Sequence, residues 1–340
     1  MPITIKDIAQ ITGLSKSTIS RALNDNPRIS KATIEKVKKV ADELGFEKNN
    51  NATSLSTSKT GNVALIYQNT LDVDGSKAYI DQLFLNLRHE LSKQNLDTII
   101  CEATEFSKNT SNSIRLIKQR KIDGLLFFHA SISREDREYA NKMNIPAINI
   151  HFKPENNSNI DYFVTDNEYG GYLAGKHLYE KGCRNVLIIS CAPNIGQEYS
   201  ERTLGCIKAY KEQGIKLSEA SFLSITTSFF SGYQFAIDNS GFISKFDGIF
   251  AQADVIAAGI IAGLKIKNIS VPNDIKIIGF DDCLYSTLFT PFITTIHQPK
   301  EEITKQSVKR LTELLNTNST TAGEFVHSLI KPTLLVREST

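Results

Sequence analysis

The sequence predicts an α/β protein in which a small helical N-terminal domain precedes a larger body of two parallel-sheet α/β lobes. Its 340 residues exceed what one ordinary hydrophobic core holds, so more than one domain is expected. Residues 1–46 show three short helical patterns separated by glycine and polar residues. From Gly61 onward, short apolar runs alternate with amphipathic stretches, which indicates parallel strands joined by right-handed helical crossovers.

The composition is that of a globular protein, with 41% hydrophobic and 22% charged residues. No apolar run is long enough to span a membrane, and the N-terminus lacks a signal-peptide pattern, so we expect a cytoplasmic protein. We expect no cofactor and no metal site. The scattered cysteines, which form no CxxC pair, predict reduced thiols rather than disulfides; they are Cys101, Cys183, Cys191, Cys206 and Cys283.

Positive charge is concentrated at the N-terminus. Residues 1–60 hold ten Lys or Arg and six Asp or Glu, whereas the remainder holds 29 basic and 31 acidic residues. This distribution indicates that the first domain binds a polyanion. A solvated basic surface without a partner is the alternative.

The first helix is predicted to begin with Thr4-Ile5-Lys6-Asp7, which resembles a capping box, and to end at Gly13. The apolar residues expected to face the core are Ile5, Ile8, Ala9 and Ile11. A third helix is expected between a Ser30 cap and Gly45, with its apolar side formed by Ile34, Val37, Ala41 and Leu44.

The second helix, from Lys16 to about Leu23 after a Ser15 cap, carries an outward polar face. Its apolar residues Ile19, Ala22 and Leu23 are expected to point inward. The spacing of the others places a cationic and hydroxyl-bearing set on one outward face: Lys16, Ser17, Ser20 and Arg21.

Two short helices meeting at a glycine turn form a helix-turn-helix, whose second helix fits the major groove of DNA. Arg21 suits the two acceptors of guanine, and Lys16 and Ser17 can donate to base edges. Thr18 and the first amides of the helix are better placed for a phosphate. A small helical bundle that does not bind DNA is the alternative.

The segment "TIKDIAQITGLSKSTISRALNDNPRISKATIEKVKKVADELGF" closely resembles the DNA-binding head of the LacI/GalR family of bacterial transcription regulators. The resemblance implies that double-stranded operator DNA is a partner and that the second helix reads its major groove. It assigns DNA contacts to Thr4, Lys16, Ser17, Thr18, Ser20, Arg21 and Asn24.

Residues 47–60, "EKNNNATSLSTSKT", have poor helix propensity and predict a flexible linker. The resemblance implies instead a hinge helix that forms on DNA and inserts a leucine, here Leu55, into the minor groove. Lys48 and Thr53 stand where the family usually has Pro and Arg. We expect residues 48–58 to be disordered without operator.

Strands and helices alternate through the body. In the first lobe, the expected strands are "NVALIYQ", "DTIIC", "DGLLFF" and "PAINI"; in the second, "YFVTDN", "NVLIIS", "FLSIT", "GIFA" and "KIIGF". The resemblance implies a periplasmic-binding-protein-like body with three chain crossings that act as a hinge. It places lobe one at about 61–161 and 293–322, and lobe two at about 162–292 and 323–340.

Ligands of open α/β sheets bind outside the carboxyl ends of the strands, so the effector is expected between the lobes. Arg202 is placed at a helix start and Asp281 after a strand, and both match effector contacts of the family. Arg202 bonding a loop carbonyl and Asp281 capping a turn are the alternatives. The other assigned effector contacts are Tyr79, His151, Phe152 and Thr227, with weaker candidates at Asp166, Tyr169, Glu198 and Phe229.

Two positions differ from the family pattern in ways that bear on the identity of the effector. Ala253 stands where sugar-responsive relatives commonly have Asn, and His151 replaces a usual acid. A sugar or sugar derivative remains the predicted effector, with a sugar phosphate, disaccharide, uronate or nucleobase as alternatives. An effector that releases the protein from DNA and an effector that promotes DNA binding would act through the same helix-turn-helix, linker and lobes, so the sequence does not distinguish them.

An enzyme is disfavoured because no GxGxxG after a strand, P-loop, HExxH or GxSxG occurs. A periplasmic solute-binding protein would share the body, but not the basic head. We therefore expect a cytoplasmic, effector-controlled transcription regulator, a repressor, acting as a homodimer. Its dimer contacts are expected around residues 77–91 and 254–265, and the chain's lack of a C-terminal leucine heptad favours a dimer over a tetramer.

Overall fold

The computed structural model describes residues 3–46, 59–68, 77–105, 110–128, 132–154, 159–191, 197–317 and 324–340. The chain divides into two compact units, Met1–Thr60 and Gly61–Thr340. The predicted linker around Leu55 lies outside the described residues, so its hinge-helix assignment stays a prediction.

The first unit consists of three helices, α1 (Ile5–Thr12), α2 (Lys16–Leu23) and α3 (Lys31–Glu43). Gly13 ends α1 with a φ of 71°, a left-handed conformation that glycine adopts at low cost. Ser15 and Ser30 cap the next two helices by accepting the amides of Thr18 and Thr33, respectively. These boundaries agree with the sequence prediction.

The core of the first unit is small and is formed by one side of each helix: Ile8, Ile19, Ala22, Leu23, Val37 and Ala41. The prediction that Ile11 belongs to this core is wrong, because Ile11 is 59% exposed. Thr12 is buried instead, with its hydroxyl donating to the Ile8 carbonyl at 2.7 Å. The apolar stripe of α1 is therefore narrower than its composition indicated.

The first sheet of the body has the order β13-β7-β6-β5-β1-β2, and its neighbouring strands are all parallel. Its strands are β1 (Asn62–Tyr67), β2 (Asp97–Glu102), β5 (Gly124–Phe128), β6 (Ala147–Ile150), β7 (Asp161–Thr165) and β13 (His327–Ile330). A separate two-stranded ribbon consists of β3 (Thr104–Glu105) and β4 (Thr110–Ser111). The helices of this lobe are α4 (Lys77–Lys93), α5 (Asn112–Lys118), α6 (Arg134–Lys142) and α13 (Lys300–Thr317).

The second sheet has the order β14-β12-β11-β10-β8-β9, in which only the β12–β14 pair is antiparallel. Its strands are β8 (Val186–Cys191), β9 (Phe222–Ile225), β10 (Gly248–Ala251), β11 (Lys276–Asp281), β12 (Thr294–His297) and β14 (Thr333–Leu335). Its helices are α7 (Asn167–Glu180), α8 (Gln197–Glu212), α9 (Phe229–Asp238), α10 (Ser240–Ile243), α11 (Asp254–Ile266) and α12 (Tyr285–Leu288).

The lobe boundaries expected from the sequence need correction at three strands. Strand β7, assigned to lobe two, pairs with β6 in the first sheet, where Phe163 joins the apolar core. Strand β12, assigned to lobe one, pairs with β11 in the second sheet. Strand β13, assigned to lobe two, pairs with β7 in the first. The rhythm of strands and helices does not show on which strand the chain changes sheets.

The chain crosses between the lobes at three short places. These are Asp166 between β7 and α7, residues 298–299 between β12 and α13, and residues 331–332 between β13 and β14. Residues that lie at the crossings therefore adjoin the carboxyl ends of strands from both sheets.

Helix α11 is buried within its own lobe. Residues 254–261, 263 and 264 are all buried, and a Cβ at Gly259 would lie 2.1 Å from the Phe229 carbonyl oxygen of α9. The expectation that residues 254–265 form a dimer surface is therefore wrong for this helix. Its small residues serve close packing against α9. Among the described helices, none combines the length and apolar character needed to cross a bilayer.

Candidate functional site

One side of α2 presents a polar surface, as the sequence predicted. Lys16, Ser17 and Arg21 are exposed, as is Asn24 at the C-cap, whereas Thr18 and Ser20 are half-buried. The opposite side of the helix is buried. This face offers a guanidinium, an ammonium, an amide and hydroxyls to a partner.

Hydroxyl groups at the start of α2 are engaged with one another. The Ser15 hydroxyl lies 2.8 Å from those of Ser17 and Thr18, and it accepts the Thr18 amide at 3.1 Å. A phosphate bound here would compete with Ser15 for that amide. At the start of α1, the Thr4 amide and hydroxyl both donate to Asp7 Oδ2 at 2.7 Å.

Asp281 ends β11 in the crevice between the lobes, with a φ of 117° that is strained for a residue other than glycine. Its carboxylate accepts a hydrogen bond from Gln298 Nε2 at 2.7 Å, and Arg202 Nη1 lies 4.0 Å from the same oxygen. Both Asp281 and Arg202 are buried. The arrangement places a cation and an anion side by side away from water.

Arg202 differs from its predicted position. Helix α8 begins at Gln197, so Arg202 lies inside the helix rather than at its start, and the helix terminus cannot explain its role. Its guanidinium donates to Asn167 Oδ1 at 2.9 Å and to the Gln252 carbonyl at 2.7 Å, and it lies 3.7 Å from the centre of the Phe280 ring. These contacts hold the guanidinium rigidly and include the carbonyl bond considered as its structural alternative.

The first lobe contributes three aromatic rings. The rings of Tyr79 and His151 lie 5.2 Å apart, and those of His151 and Phe152 lie 4.4 Å apart. His151 follows β6 with a φ of 83°, a second strained position next to the crevice. Burial and the nearby Asp281 carboxylate raise the pKa of the Tyr79 phenol, which is neutral at physiological pH.

Lys300 connects the two lobes at the site. It is a buried residue at the start of α13, in the first lobe, yet its ammonium donates to the backbone carbonyls of Asp281 and Asp282 at 2.9 and 3.3 Å. The ammonium also lies 5.4 Å from the centre of the Tyr79 ring. Lys300 thus stabilises the strained turn that carries Asp281.

Two acidic neighbours of Asp281 have opposite titration behaviour. Burial, reinforced by the Asp281 charge, raises the pKa of Asp254, whose carboxyl is held by the Thr295 hydroxyl and the Cys283 amide at 2.6 and 3.0 Å. Burial opposes the ionisation of Asp282, but hydrogen bonds from His297 and Arg337 hold its pKa below the usual range. Both carboxyls fix the turn that follows β11.

The structure brings five of the six assigned effector residues to one region. Tyr79, His151 and Phe152 adjoin one another, and Arg202 adjoins Asp281. Thr227 is buried between β9 and α9, and within the described residues no hydrogen bond links it to this group. Its assignment therefore has no support from the contacts.

The weaker candidates have the following contacts and positions. Asp166 caps α7 by accepting the Tyr169 amide at 3.0 Å, and Phe229 stacks on Tyr233 within the second lobe. Glu198 is buried in the first turn of α8. Ala253 is also buried and caps α11 without a side-chain bond.

Sequence reasoning missed polar residues that surround the Arg202–Asp281 pair: Thr165, Asn167, Gln252, Gln298 and Lys300. They end a parallel strand or follow one within a few residues, and that position was the available signal. Gln252 Oε1 and the Tyr79 hydroxyl are buried without a hydrogen-bond partner among the described residues. Unmet polar groups of this kind favour a polar ligand.

The combination of a cation, a carboxylate and aromatic faces can bind a small polar molecule by hydrogen bonds and stacking. In the described part of the chain, no group of three or more His, Cys, Asp or Glu residues is placed to hold a metal ion. Together with the helix-turn-helix, these features are typical of regulators that combine a DNA-binding domain with a body able to bind a small molecule.

Comparisons with known proteins agree. Residues 4–49 match the model of bacterial regulatory proteins of the lacI family, and residues 176–340 match the periplasmic binding protein-like domain. The HTH-type transcriptional regulator DegA of Bacillus subtilis is 29% identical over 100% of this chain and 98% of its own. The HTH-type transcriptional repressor PurR of Vibrio atlanticus is 27% identical over 91% of each chain.

A LacI family transcriptional regulator from Enterococcus faecium, crystallised with bound ribose, superposes with a TM-score of 0.69 at 25% identity, covering 82% of this chain and 98% of its own. Residues 4–49 therefore form a helix-turn-helix domain of the lacI family, and residues 176–340 belong to a periplasmic-binding-protein-like body. The resemblance and the fold class predicted from the sequence are confirmed.

Proposed function

We propose that this protein is a transcriptional repressor that binds operator DNA as a homodimer and responds to a small carbohydrate held between the lobes of its body. The observation that carries the proposal is the buried Arg202–Asp281 pair at the strand ends, in a chain that also has an exposed reading face on α2. The repressor role is further supported by the name of the PurR relative.

DNA binding would use the exposed face of α2 in the major groove. Arg21 would donate to guanine, Lys16 and Ser17 to base edges, and Ser20 and Asn24 to neighbouring groups. Thr4 and Thr18, whose hydroxyls lie at helix starts, would contact the phosphate backbone. One such helix reads half a site, so two chains would bind a pseudo-palindrome, with Leu55 of each linker in the minor groove.

The chemistry of the crevice supports a carbohydrate. A carboxylate accepts from hydroxyl donors and a fixed guanidinium donates to ring or hydroxyl oxygens, while an aromatic face packs on the C–H surface of a sugar. Asp281, Arg202 and Tyr79 offer these three functions, with His151 and Phe152 beside Tyr79. Ribose is the ligand of the Enterococcus faecium relative.

A nucleobase is the second candidate. The three neighbouring rings of Tyr79, His151 and Phe152 provide stacking surface, and the Arg202–Asp281 pair provides a donor beside an acceptor. A planar base that carries both hydrogen-bond acceptors and donors along its edges would pair with Arg202 and Asp281.

Dimerisation would use an apolar surface of the second lobe instead of α11. The exposed large side chains on and near α9 and α12 are Phe230, Leu284, Leu288, Phe289 and Phe292. Phe229 on α9 lies 5.7 Å, ring to ring, from Phe289, so the two segments form one surface. A contiguous apolar patch of this kind is typical of a protein interface.

The test combines operator selection with an effector screen. The full chain is used to enrich binding sequences from random duplex DNA at low ionic strength, and its melting temperature is measured with D-ribose, cellobiose and hypoxanthine. Enrichment of a pseudo-palindrome, a shift with a sugar and a changed operator Kd would support the proposal. A shift with hypoxanthine alone would favour the second candidate, and absence of sequence enrichment would refute the regulator.

A further inference from the structure

A hydrogen-bond relay runs across the crevice between the two lobes. The Thr165 hydroxyl at the end of β7 donates to Gln298 Oε1 at 2.7 Å, and Gln298 Nε2 donates to Asp281 Oδ1 at 2.7 Å. All three residues are buried. Thr165 belongs to the first sheet, Asp281 to the second, and Gln298 to the crossing between them.

The direction of the relay follows from donor and acceptor chemistry. An ionised carboxylate can only accept, so the Gln298 amide must turn its nitrogen towards Asp281 and its oxygen towards Thr165. The Thr165 hydroxyl must then donate to Gln298. A reversed amide would set Gln298 Oε1 against the Asp281 carboxylate, so that two acceptors faced each other among buried residues, although its Nε2 could still donate to the Thr165 hydroxyl.

Besides the Gln298 bond to its carboxylate, Asp281 is held at its backbone by a residue of the first lobe. Lys300 donates to the Asp281 carbonyl from the start of α13, so both the backbone and the carboxylate of Asp281 are bonded to residues at or after the second crossing. The strained φ of Asp281 makes such support necessary.

We propose that Gln298 and Thr165 are positioning residues that set the orientation of the Asp281 carboxylate, and through it which ligand donors this carboxylate accepts. The inference rests on the proposed function only in treating Asp281 as a ligand contact. Because the relay spans both lobes, a change in their angle would rotate the carboxylate, and a ligand that fixes the carboxylate would favour one angle.

The first test exchanges the two partners of the central bond. In Gln298→Glu combined with Asp281→Asn, the new asparagine amide can donate to the new glutamate, which still accepts from Thr165. Gln298→Glu alone opposes two carboxylates and is expected to lower the melting temperature of the full chain by about 3 °C or more. The double variant is expected to melt higher than the summed single effects predict.

Gln298→Met with Asp281→Asn serves as the matched control, because methionine fills a similar volume without an amide. Its effects on melting temperature are expected to add. If the changes in melting temperature of Gln298→Glu and Asp281→Asn also simply add, as in that control, the relay would be overturned. Thr165→Val against Thr165→Ser tests the other bond: the valine variant should melt lower, and equal melting of the two would overturn the role of Thr165.

Ligand binding separates the relay from the proposed function. With whichever of D-ribose, cellobiose or hypoxanthine shifts the wild-type chain, Thr165→Val is expected to weaken binding about tenfold in calorimetry while Thr165→Ser stays within about twofold. The double variant Gln298→Glu with Asp281→Asn could melt higher than the summed single effects, as expected, and still bind the ligand normally. In that case Asp281 is not a contact of the ligand. The relay would then stand, and the site assignment would fail.

Discussion

Lys153 and Glu201 form an ion pair between the lobes, with Lys153 Nζ donating to Glu201 Oε1 at 2.5 Å. Lys153 lies just after β6 in the first lobe, and Glu201 lies on α8 in the second. Gln197 Nε2 donates to the same oxygen at 3.2 Å. The pair adjoins two assigned effector residues, Phe152 and Arg202, in sequence, so it stabilises the present arrangement of the two lobes beside the predicted effector site.

Reversing one charge of this pair should open the crevice. Lys153→Glu places two carboxylates together, and we expect a larger radius of gyration of the ligand-free chain in solution scattering, with up to about 1 kcal/mol of coupling lost. The charge-exchanged variant, Lys153→Glu with Glu201→Lys, is expected to return the radius towards wild type. No change with the single reversal would show that the pair does not govern the lobes.

Arg21→Ala should reduce operator discrimination. Because a guanidinium bound to guanine distinguishes bases by about 1–3 kcal/mol, we expect that loss in the ratio of specific to nonspecific binding, measured by fluorescence anisotropy at fixed salt. Lys39→Ala removes the same charge from α3, where Lys39 pairs with Glu43, and is the control. Retained discrimination in Arg21→Ala would contradict the assigned base contact.

Asp281→Ala should abolish the effector response while leaving operator affinity in place. The Asp281 carboxylate is the proposed acceptor for hydroxyl groups of the effector, and DNA contacts are assigned to the other unit of the chain. Operator titrations with and without the effector found by the screen provide the measurement. A variant that still responds to effector would move the ligand to another part of the body.

Leu288→Arg should shift the protein from dimer to monomer in sedimentation velocity. Leu288 is 50% exposed within the proposed apolar dimer surface, and a buried unpaired arginine there is costly. Leu204→Arg is the control, since Leu204 is 57% exposed on α8 and is not one of the residues of that surface. Dissociation by the control alone would place the dimer contact at α8.

Asp282 should contribute acid sensitivity to the second lobe. Its pKa is held below the usual aspartate range, so its stabilisation is complete above the unfolded-state pKa of about 4 and is lost as the pH falls towards the folded-state value. Asp282→Asn is therefore expected to melt lower than wild type at pH 7, with the difference shrinking at acidic pH. A difference independent of pH would contradict this assignment.

Local sequence signals predicted most of the elements. The Gly13 turn, the Ser15 and Ser30 caps and the alternation of strands and helices all depend on contacts within a few residues, and the structure follows them. The sheet to which β7, β12 and β13 belong depends on long-range pairing, which the strand pattern does not encode. The burial of α11 likewise depends on α9, which lies distant in sequence.

The candidate site was predicted only in part, because local motifs reveal some of its residues and long-range contacts bring in the others. Arg202 and Asp281 were found because they lie in recognisable motifs, whereas Gln298 and Lys300 act through a turn that only folding brings to them. Ile11 shows the converse, because an apolar residue on a short helix of a small domain can remain outside the core.

The three short chain crossings limit how the two lobes of the body can move relative to each other. Because the two lobes are joined by three connections of one or two residues each, we expect them to have little freedom to slide or separate, and bending about these connections is the movement that remains. Ligands of different shape would then be reported as different values of one angle. Under the proposed function, two effectors that close the lobes to the same angle would then have the same effect on DNA binding.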